Sequence, residues 1–430
     1  MKEITVSLPT FHPDQVRAYH KWRANRFMAL RAGRRWGKTD FGKIIACDDV
    51  INSRLVGWFA PDYKTSSESY DAILDALYPV KKTSSKTAGM IKSITGGSIE
   101  FWTLDNERAG RSRKYHTIII DEGAFTNNNT MTEIWERSIK PTLLDYRGKA
   151  LVLSNTNGAD PENFFWKICN VPEMEFADFH APTENNPYLP ADEIVRLQQV
   201  THPMVFAQEF RAEFVDWSGQ AFFSLEKLLG EDGAPIDQPL RVDAVFVTVD
   251  SATKSGAEHD GTCAVFWGLI RIGSEARLVV LDWELVKIDG DLLDGWLSLI
   301  FRRAEELARD CGSRSGFVGV WIEDKNSGSV LIMQSKRRNL PVHAIPSAHT
   351  ALGKDERAIS VSGYVHQGKV KICKPAYDKT IVYNGASRNH LVSQITAFRI
   401  GDKEAAKRAD DALDAWVYGV AIALGDKKGF

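Results

Sequence analysis

The chain has 430 residues, 43% of them hydrophobic and 26% charged, with a formal net charge of −2; that is the composition of a soluble globular protein, long enough to predict two domains rather than one core. No apolar run reaches membrane-spanning length, the longest at 415–424 being too short, and the N-terminal residues do not read as a secretory signal. Cys47, Cys169, Cys263, Cys311 and Cys373 form no CxxC pair, which predicts reduced thiols of a cytosolic protein rather than disulfides or zinc ligands. The balanced charge neither favours nor excludes nucleic acid, because binding patches can be local.

In chain order, Phe11-His12-Pro13-Asp14-Gln15 opens a helix that carries Val16, Tyr19 and Trp22. The Gln15 amide has one donor side and one acceptor side, matching adenine N6 and N7, and it can equally cap the helix. Next come a short apolar strand, Phe27-Met28-Ala29-Leu30, then Arg31-Ala32-Gly33-Arg34-Arg35-Trp36-Gly37-Lys38-Thr39, then a helix over 40–51. Strand, glycine-bearing loop and helix in that order predict a phosphate-binding loop over Gly33, Arg34, Arg35, Trp36, Gly37, Lys38 and Thr39. Its backbone N–H groups turn toward phosphates, Lys38 reaches the β/γ oxygens and the Thr39 hydroxyl holds Mg²⁺. Ala32 stands where glycine is commoner in such loops.

Strand and helix patterns then alternate: a strand over 55–60, a helix over 67–77, and a strand pair within 90–104 split at Gly96-Gly97. The apolar run Tyr115-His116-Thr117-Ile118-Ile119-Ile120 ends in Asp121-Glu122. A strand buried on both faces suits a central parallel sheet, whose carboxyl edge binds ligands. There Asp121 is expected to hold the metal and Glu122 to polarise the attacking water. A strand over 150–153 ends in Ser154-Asn155-Thr156-Asn157-Gly158, which either senses the γ-phosphate or is only a polar turn. Arg108, Arg111 and Arg113, together with Arg34 and Arg35, are either arginine fingers or a solvated basic surface. Amphipathic helices are predicted over 162–171 and 190–214. The turn signals around Ser218-Gly219-Gln220 and 230–235 place a linker at 218–240, so that an ATPase domain spans 1–217, with a helical lid over about 180–217.

From 241 to 430 the order changes. Strands over 245–250, 262–269 and 277–287 are followed by a helix over 291–311, a strand over 318–324, a helix over 330–338, a short strand over 342–345 and further helices. Three antiparallel strands followed by alternating helix and strand is the order of an RNase H-like fold. Asp250 ends the first strand, Glu323 and Asp324 end the fourth, and Asp410, Asp411 and Asp414 open the last helix. Such oxygen ligands suit two Mg²⁺ or Mn²⁺ ions that activate water and stabilise a leaving oxygen. First-turn capping is a competing account of Asp410 and Asp411. Asp260 is a further, structural candidate. Lys336-Arg337-Arg338, Arg302-Arg303 and Lys354-Asp355-Glu356-Arg357 are either DNA contacts or solvated helix faces.

The fold class read from this order is α/β, a P-loop ATPase domain with a parallel-rich ASCE/RecA-like sheet followed by an RNase H-like nuclease domain. The pairing resembles the large terminase subunit of tailed bacteriophages. The phosphate loop, Asp121-Glu122-Gly123-Ala124-Phe125, Asn186-Pro187-Tyr188-Leu189-Pro190, Gln208-Glu209-Phe210-Arg211-Ala212-Glu213-Phe214, and Gln394-Ile395-Thr396-Ala397-Phe398 with Asp410-Asp411-Ala412-Leu413-Asp414-Ala415 are similar to motifs of that family. The resemblance implies ATP with Mg²⁺, and Mg²⁺ or Mn²⁺ at the nuclease. It implies ATP-driven translocation of double-stranded DNA into procapsids and endonucleolytic cleavage of concatemers. The implied partners are a small terminase subunit, the portal protein and further copies in a ring, a pentamer, in the cytoplasm of an infected bacterial host and away from membranes. It makes Arg111 the first choice of arginine finger and Glu323, rather than Asp324, the acid after the fourth strand. A helicase or repair-type ATPase fused to an RNase H-like nuclease is the alternative, but a helicase needs a second RecA-like domain where this chain begins three strands. A catalytically inert DNA-binding adaptor is a further alternative, opposed by the presence of Lys38, Glu122, Asp250 and Asp410.

Overall fold

Apolar runs too short for amphipathic helices build a central sheet in each half of the chain. The computed structural model describes residues 4–126, 128–217, 221–251, 261–287, 293–324, 327–401 and 410–425. They divide into two compact units, Met1–Gln198 with Pro203–Asp216, and Gln199–His202 with Trp217–Phe430.

The first unit is organised by β1 (Phe27–Ala32), β2 (Leu55–Ala60), β3 (Lys81–Ser85), β4 (Met90–Ser93), β5 (Ser98–Thr103), β6 (Thr117–Asp121), β7 (Lys149–Ser154) and β8 (Ala177–Ala181). They lie in the order β3-β4-β5-β2-β6-β7-β1-β8. Pairing is parallel from β5 to β8, and antiparallel along β3, β4 and β5. Alternate residues of the central strands feed separate cores. Trp58, Ile119, Leu151 and Leu153 pack on one face, and Phe59, Ile118, Ile120 and Val152 on the other. Each such side chain contributes about 1.5–3 kcal/mol relative to leaving it in water, so the central strands stabilise the unit from both faces. Because β7 sits between β1 and β6, with Leu153 beside both Leu30 and Asp121, three strand ends finish on one edge. That edge carries the loop after β1, Glu122 after β6 and Asn155 after β7.

In this unit β3 and β8 have no counterpart among the predicted elements, and in the second unit strands at Val370–Ile372, Ile381–Tyr383 and Ala386–Arg388 stand where only further helices were predicted, each too short to show an alternating pattern. β3 reads Lys-Lys-Thr-Ser-Ser and is mostly exposed, a polar edge with no apolar alternation to signal it. The outer strand β8 buries only Phe179 and Ala181. The helix predicted over 190–214 is instead two, Ala191–Val200 and Pro203–Glu209. Proline fits the first position of a helix and disrupts an interior, so Pro203 starts the second helix rather than continuing the first. Residues 212–217 are irregular.

In the second unit, β9 (Ala244–Asp250), β10 (Thr262–Ile272), β11 (Glu275–Val286), β12 (Phe317–Ile322), β13 (Val342–Ala344) and β14 (Val370–Ile372) pair in the order β13-β12-β9-β10-β11-β14. β9, β10 and β11 are antiparallel neighbours, whereas β12 joins β9, and β13 joins β12, in parallel. The helix Leu293–Asp310 connects β11 to β12. This is the RNase H-like arrangement, with β14 paired parallel on the outside of β11. A small hairpin, β15 (Ile381–Tyr383) with β16 (Ala386–Arg388), stands apart from the main sheet. The last helix, Asp411–Val420, is almost wholly buried against β9 and β10. Residues 221–240, predicted as linker, are part of the second unit. Phe222, Phe223 and Leu228 are buried and Ile236 bridges to Cys373. All five cysteines are free thiols, and burial pushes the Cys47 thiol up to about 12, which leaves it inert at neutral pH.

Candidate functional sites

The loop after β1 is held from several sides. Gly37 adopts φ +97, the left-handed conformation that glycine takes without a Cβ penalty, and starts the helix Lys38–Ile51. Trp36 is fully buried and donates its indole N–H to Asp14 Oδ2 at 2.9 Å, while the His12 ring contacts the Trp36 carbonyl at 3.1 Å. Gln15 is buried as well. Its Oε1 accepts the His12 N–H at 3.2 Å, completing a capping box, and its Nε2 donates to the Gly37 carbonyl at 3.1 Å. Of the two roles predicted for Gln15, the structure displays the cap, and adds a brace on the loop. Gly33 is a close approach, since a Cβ there would lie 2.1 Å from the Phe210 carbonyl oxygen. Around it Gly33 N donates to Ala181 O at 2.9 Å, Arg34 N to Glu209 O at 2.8 Å and Thr183 N to Phe210 O at 2.7 Å.

Lys38, at the first turn of that helix, points its Nζ to Asn155 Oδ1 at 2.9 Å and Glu122 Oε1 at 3.2 Å. Thr39 donates its hydroxyl to Asp121 Oδ1 at 3.3 Å. Asp121 is buried, and that burial, with the Glu122 charge beside it, pushes its carboxyl up to about 7 against the opposing pull of Lys38 and Thr39. Glu122 adopts φ +53, uncommon for a residue with a side chain, and its Oε2 accepts from Ser154 Oγ at 3.4 Å. From Asn155 the contacts run on. Its Nδ2 donates to Glu209 Oε2 at 3.2 Å, and that carboxylate pairs with Arg34 Nε at 2.6 Å. Thr156 and Gly158 likewise bond to Glu213 and Gln208. Arg34, Lys38, Asp62, Thr65, Glu122 and Asn155 line a cavity of about 390 Å³. That is within the size range of small-molecule sites, and the Lys38 ammonium and Glu122 in its lining, with Asp121 and Thr39 next to them in the chain, suit a nucleotide phosphate with a divalent ion.

Arg35 and Arg111 are exposed and stand outside the cavity lining. Arg111 lies on the loop between β5 and β6, and its side chain pairs with no described residue. Arg113, by contrast, is taken up by Glu100 Oε2 at 3.2 Å and lies over the Trp102 ring.

In the second unit the predicted acids fall into three groups. Asp250, Glu323, Asp411 and Asp414 share one neighbourhood. Burial first, then Asp414, Asp411 and Glu323, hold the Asp250 carboxyl well above the usual range, with Arg357 opposing them. The last helix is pinned across β9, where Thr248 Oγ1 donates to the Ala415 carbonyl at 2.7 Å and accepts from Trp267 Nε1 at 2.8 Å. Asp410 is ion-paired with Lys354. Asp324 is exposed and accepts from Ser329 Oγ at 2.7 Å, serving the helix Ser327–Arg337. Asp260 lies outside the described residues.

Capping does not account for Asp410. It precedes the last helix but makes no side-chain cap bond, and Gln394 Oε1 accepts the N–H groups of Ala412 and Leu413 at 2.8 and 3.2 Å instead. Among the described residues no three acidic, histidine or cysteine side chains are drawn together as ligands of one ion. The donor set nonetheless fits a hard divalent cation in kind, because the crowding of carboxylates around Asp250 is relieved by added positive charge. Part of that charge is internal. Arg357 Nη2 donates to Asp414 Oδ1 at 3.0 Å and Nη1 to the Tyr418 hydroxyl at 2.9 Å. Lys354 and Arg357, read from sequence as DNA contacts or a solvated face, turn into this acidic centre; Arg303 is bound to Asp282 at 2.7 Å. Sequence reasoning missed Asp14, Glu209 and Gln394 as supports. A capping-box spacing for Gln15 was the one local signal available, since the others depend on contacts far apart in the chain.

No protein-family model matches the sequence, and a comparison with curated proteins finds no match. Among solved structures, the chain is similar to the large terminase from a thermophilic bacteriophage in complex with ATP-γ-S, with TM-score 0.61 and 13% identity over 96% of this chain and 99% of that one. The same phage protein in complex with ADP gives TM-score 0.60 and 12% identity, covering 97% and 100% of the two chains. At these identities the likeness is one of fold, and it runs through both units.

Proposed function

We propose that the chain is a terminase large subunit, which hydrolyses ATP to move double-stranded DNA into a procapsid and cuts concatemeric DNA with a metal-dependent nuclease. The observation that carries this reading is the arrangement at one sheet edge, Lys38 on Asn155 and Glu122 beside Thr39 on Asp121. The fold shared with a terminase crystallised with ATP-γ-S supports it. In the ATPase, the N–H groups that open the helix Lys38–Ile51 and the Lys38 ammonium bind the phosphates. Thr39 and Asp121 would hold Mg²⁺, which would supply charge neutralisation for the phosphates. Glu122 orients the attacking water. A γ-phosphate competes with Asn155 for the Lys38 ammonium, and an Asn155 freed from Lys38 alters its hold on Glu209, and through Glu209 on Arg34 and the segment 203–214. Arg111, exposed and unpaired among the described residues, is the finger offered to a neighbouring copy in a ring, by resemblance a pentamer. Gln15 and Trp36 keep the loop in shape.

In the nuclease, Asp250, Glu323, Asp411 and Asp414, joined by Asp410, would hold Mg²⁺ or Mn²⁺, which would supply water activation and charge stabilisation for the leaving oxygen. Asp324 lies outside this set. The portal, a small terminase subunit and the host cytoplasm complete the reading as partners and place; among the described residues no helix is long and apolar enough to cross a membrane. The test pairs two assays on the purified chain, phosphate release from ATP and cleavage of supercoiled plasmid with Mn²⁺ or Mg²⁺, for wild type, Lys38→Ala and Asp250→Ala. The reading expects ATP turnover to vanish only in Lys38→Ala and cutting to vanish only in Asp250→Ala. Cutting unchanged by Asp250→Ala removes the nuclease assignment.

A further inference from the structure

Among the described residues, two cations turn into the acidic centre of the second unit, and they are held differently. Arg357 has three partners, Asp414, Tyr418 and, at 3.4 Å, the Leu352 carbonyl, and its side chain is 12% exposed. Lys354 has one described partner, Asp410, and both are more open, at 23% and 39%. Neither member of the Lys354–Asp410 pair is needed where it stands for helix formation. Lys354 is the first residue of the helix Lys354–His366, where a positive charge opposes the helix dipole; that turn is served by Asp355, Glu356 and the bond from Gly353 N to Glu356 Oε2 at 3.2 Å. Asp410 precedes the last helix, but Gln394 accepts that helix's first N–H groups. An ammonium on a flexible stem exchanges a carboxylate for water far more readily than a guanidinium locked by three bonds.

We propose that Lys354 is a resident counter-cation of the carboxylate centre, occupying Asp410 until an incoming divalent ion displaces it. The inference rests on reading that centre as a metal-dependent nuclease. A divalent ion bound by Asp250 and its neighbours attracts Asp410 more strongly than the single charge of Lys354 does, and the ammonium then turns out to solvent. Asp410 therefore joins the ion set by exchanging partners, whereas Asp414 stays positioned by Arg357. Ion and ammonium compete for one carboxylate, so each weakens the hold of the other by the same factor.

The test uses the full chain without nucleotide and Mn²⁺ as the probe. Mn²⁺ binding is measured by calorimetry for wild type, Lys354→Met and Asp250→Asn, and acylation of Lys354 is followed by mass spectrometry with and without Mn²⁺. Saturating Mn²⁺ is expected to raise the acylation of Lys354 several-fold in wild type but not in Asp250→Asn, and Lys354→Met is expected to bind Mn²⁺ roughly tenfold more tightly. A site lost in Asp250→Asn, but with Lys354 acylation indifferent to Mn²⁺ and the Lys354→Met affinity unchanged, overturns the counter-cation and leaves the nuclease reading standing. Absence of any Mn²⁺ site sensitive to Asp250→Asn overturns both. The acylation arm needs no variant at Lys354, so it decides even where Lys354→Met does not fold.

Discussion

Lys38 Nζ has two acceptors, and only Asn155 leads away from the phosphates toward Glu209. A hydrogen bond to a charged group contributes about 1.5–3 kcal/mol, and this one competes with the γ-phosphate, so Asn155→Ala is expected to bind ATP roughly tenfold more tightly while lowering kcat through loss of the path to Glu209; nucleotide titration and steady-state phosphate release check the two effects. Asp121 gives a pH test whose sign is fixed. Its folded-state pKa of about 7 lies above the ordinary carboxyl value. The folded protein therefore holds the extra proton, and this contribution to stability is complete below about pH 4 and lost as pH rises through about 7. Asp121→Asn should flatten that fall and raise the Tm of the nucleotide-free protein above neutrality; an unchanged slope in thermal scans would speak against the buried acid. Both residues of the Asp121-Glu122 pair, and Gly33 to Thr39, were legible because a phosphate loop and an acidic strand end are local patterns. Glu209, Lys354 and Arg357 were not, because their roles exist only once distant segments meet.

At the scale of elements, the last helix shows what a cap contributes when it comes from elsewhere. Gln394, on the helix His390–Ala397, accepts two of its first N–H groups in a buried setting. Gln394→Ala should cost about 1–2 kcal/mol, by analogy with lost caps, and lower the thermal transition of the second unit while leaving ATP turnover intact. Helix–strand order was readable where apolar period and length agreed, as in β2, β6 and β9. It failed for β3, whose residues are polar, and for the helix predicted across Pro203. It also failed for 221–240, where glycine and proline punctuation suggested a linker but Phe222, Phe223 and Leu228 seek a core. Turn chemistry reports local backbone shape and says nothing about what packs over it.

For the molecule as a whole, two units with separate cores place the loop at Lys38 and the acid at Asp250 in different bodies. Lys38→Ala and Asp250→Ala are therefore expected to act independently, with a double variant showing the sum of the two single losses and the same two thermal transitions as wild type, read by calorimetry. This architecture was the most legible feature of the sequence. The succession of three strands, helix, strand, helix and strand admits few topologies, because crossovers between parallel strands are right-handed. Handedness and element order persist through wide sequence change, which fits a shared fold at 13% identity.

The bonds that tie Gly33 to Ala181, Arg34 to Glu209 and Thr183 to Phe210 cross-strap three distant stretches of chain around a position where no side chain fits. Such a lacing cannot fray one strand at a time. Solvent reaches any of these amides only when the whole clasp opens, so their protons should exchange in concert, as a single cooperative unit, and a bound phosphate should slow all of them together.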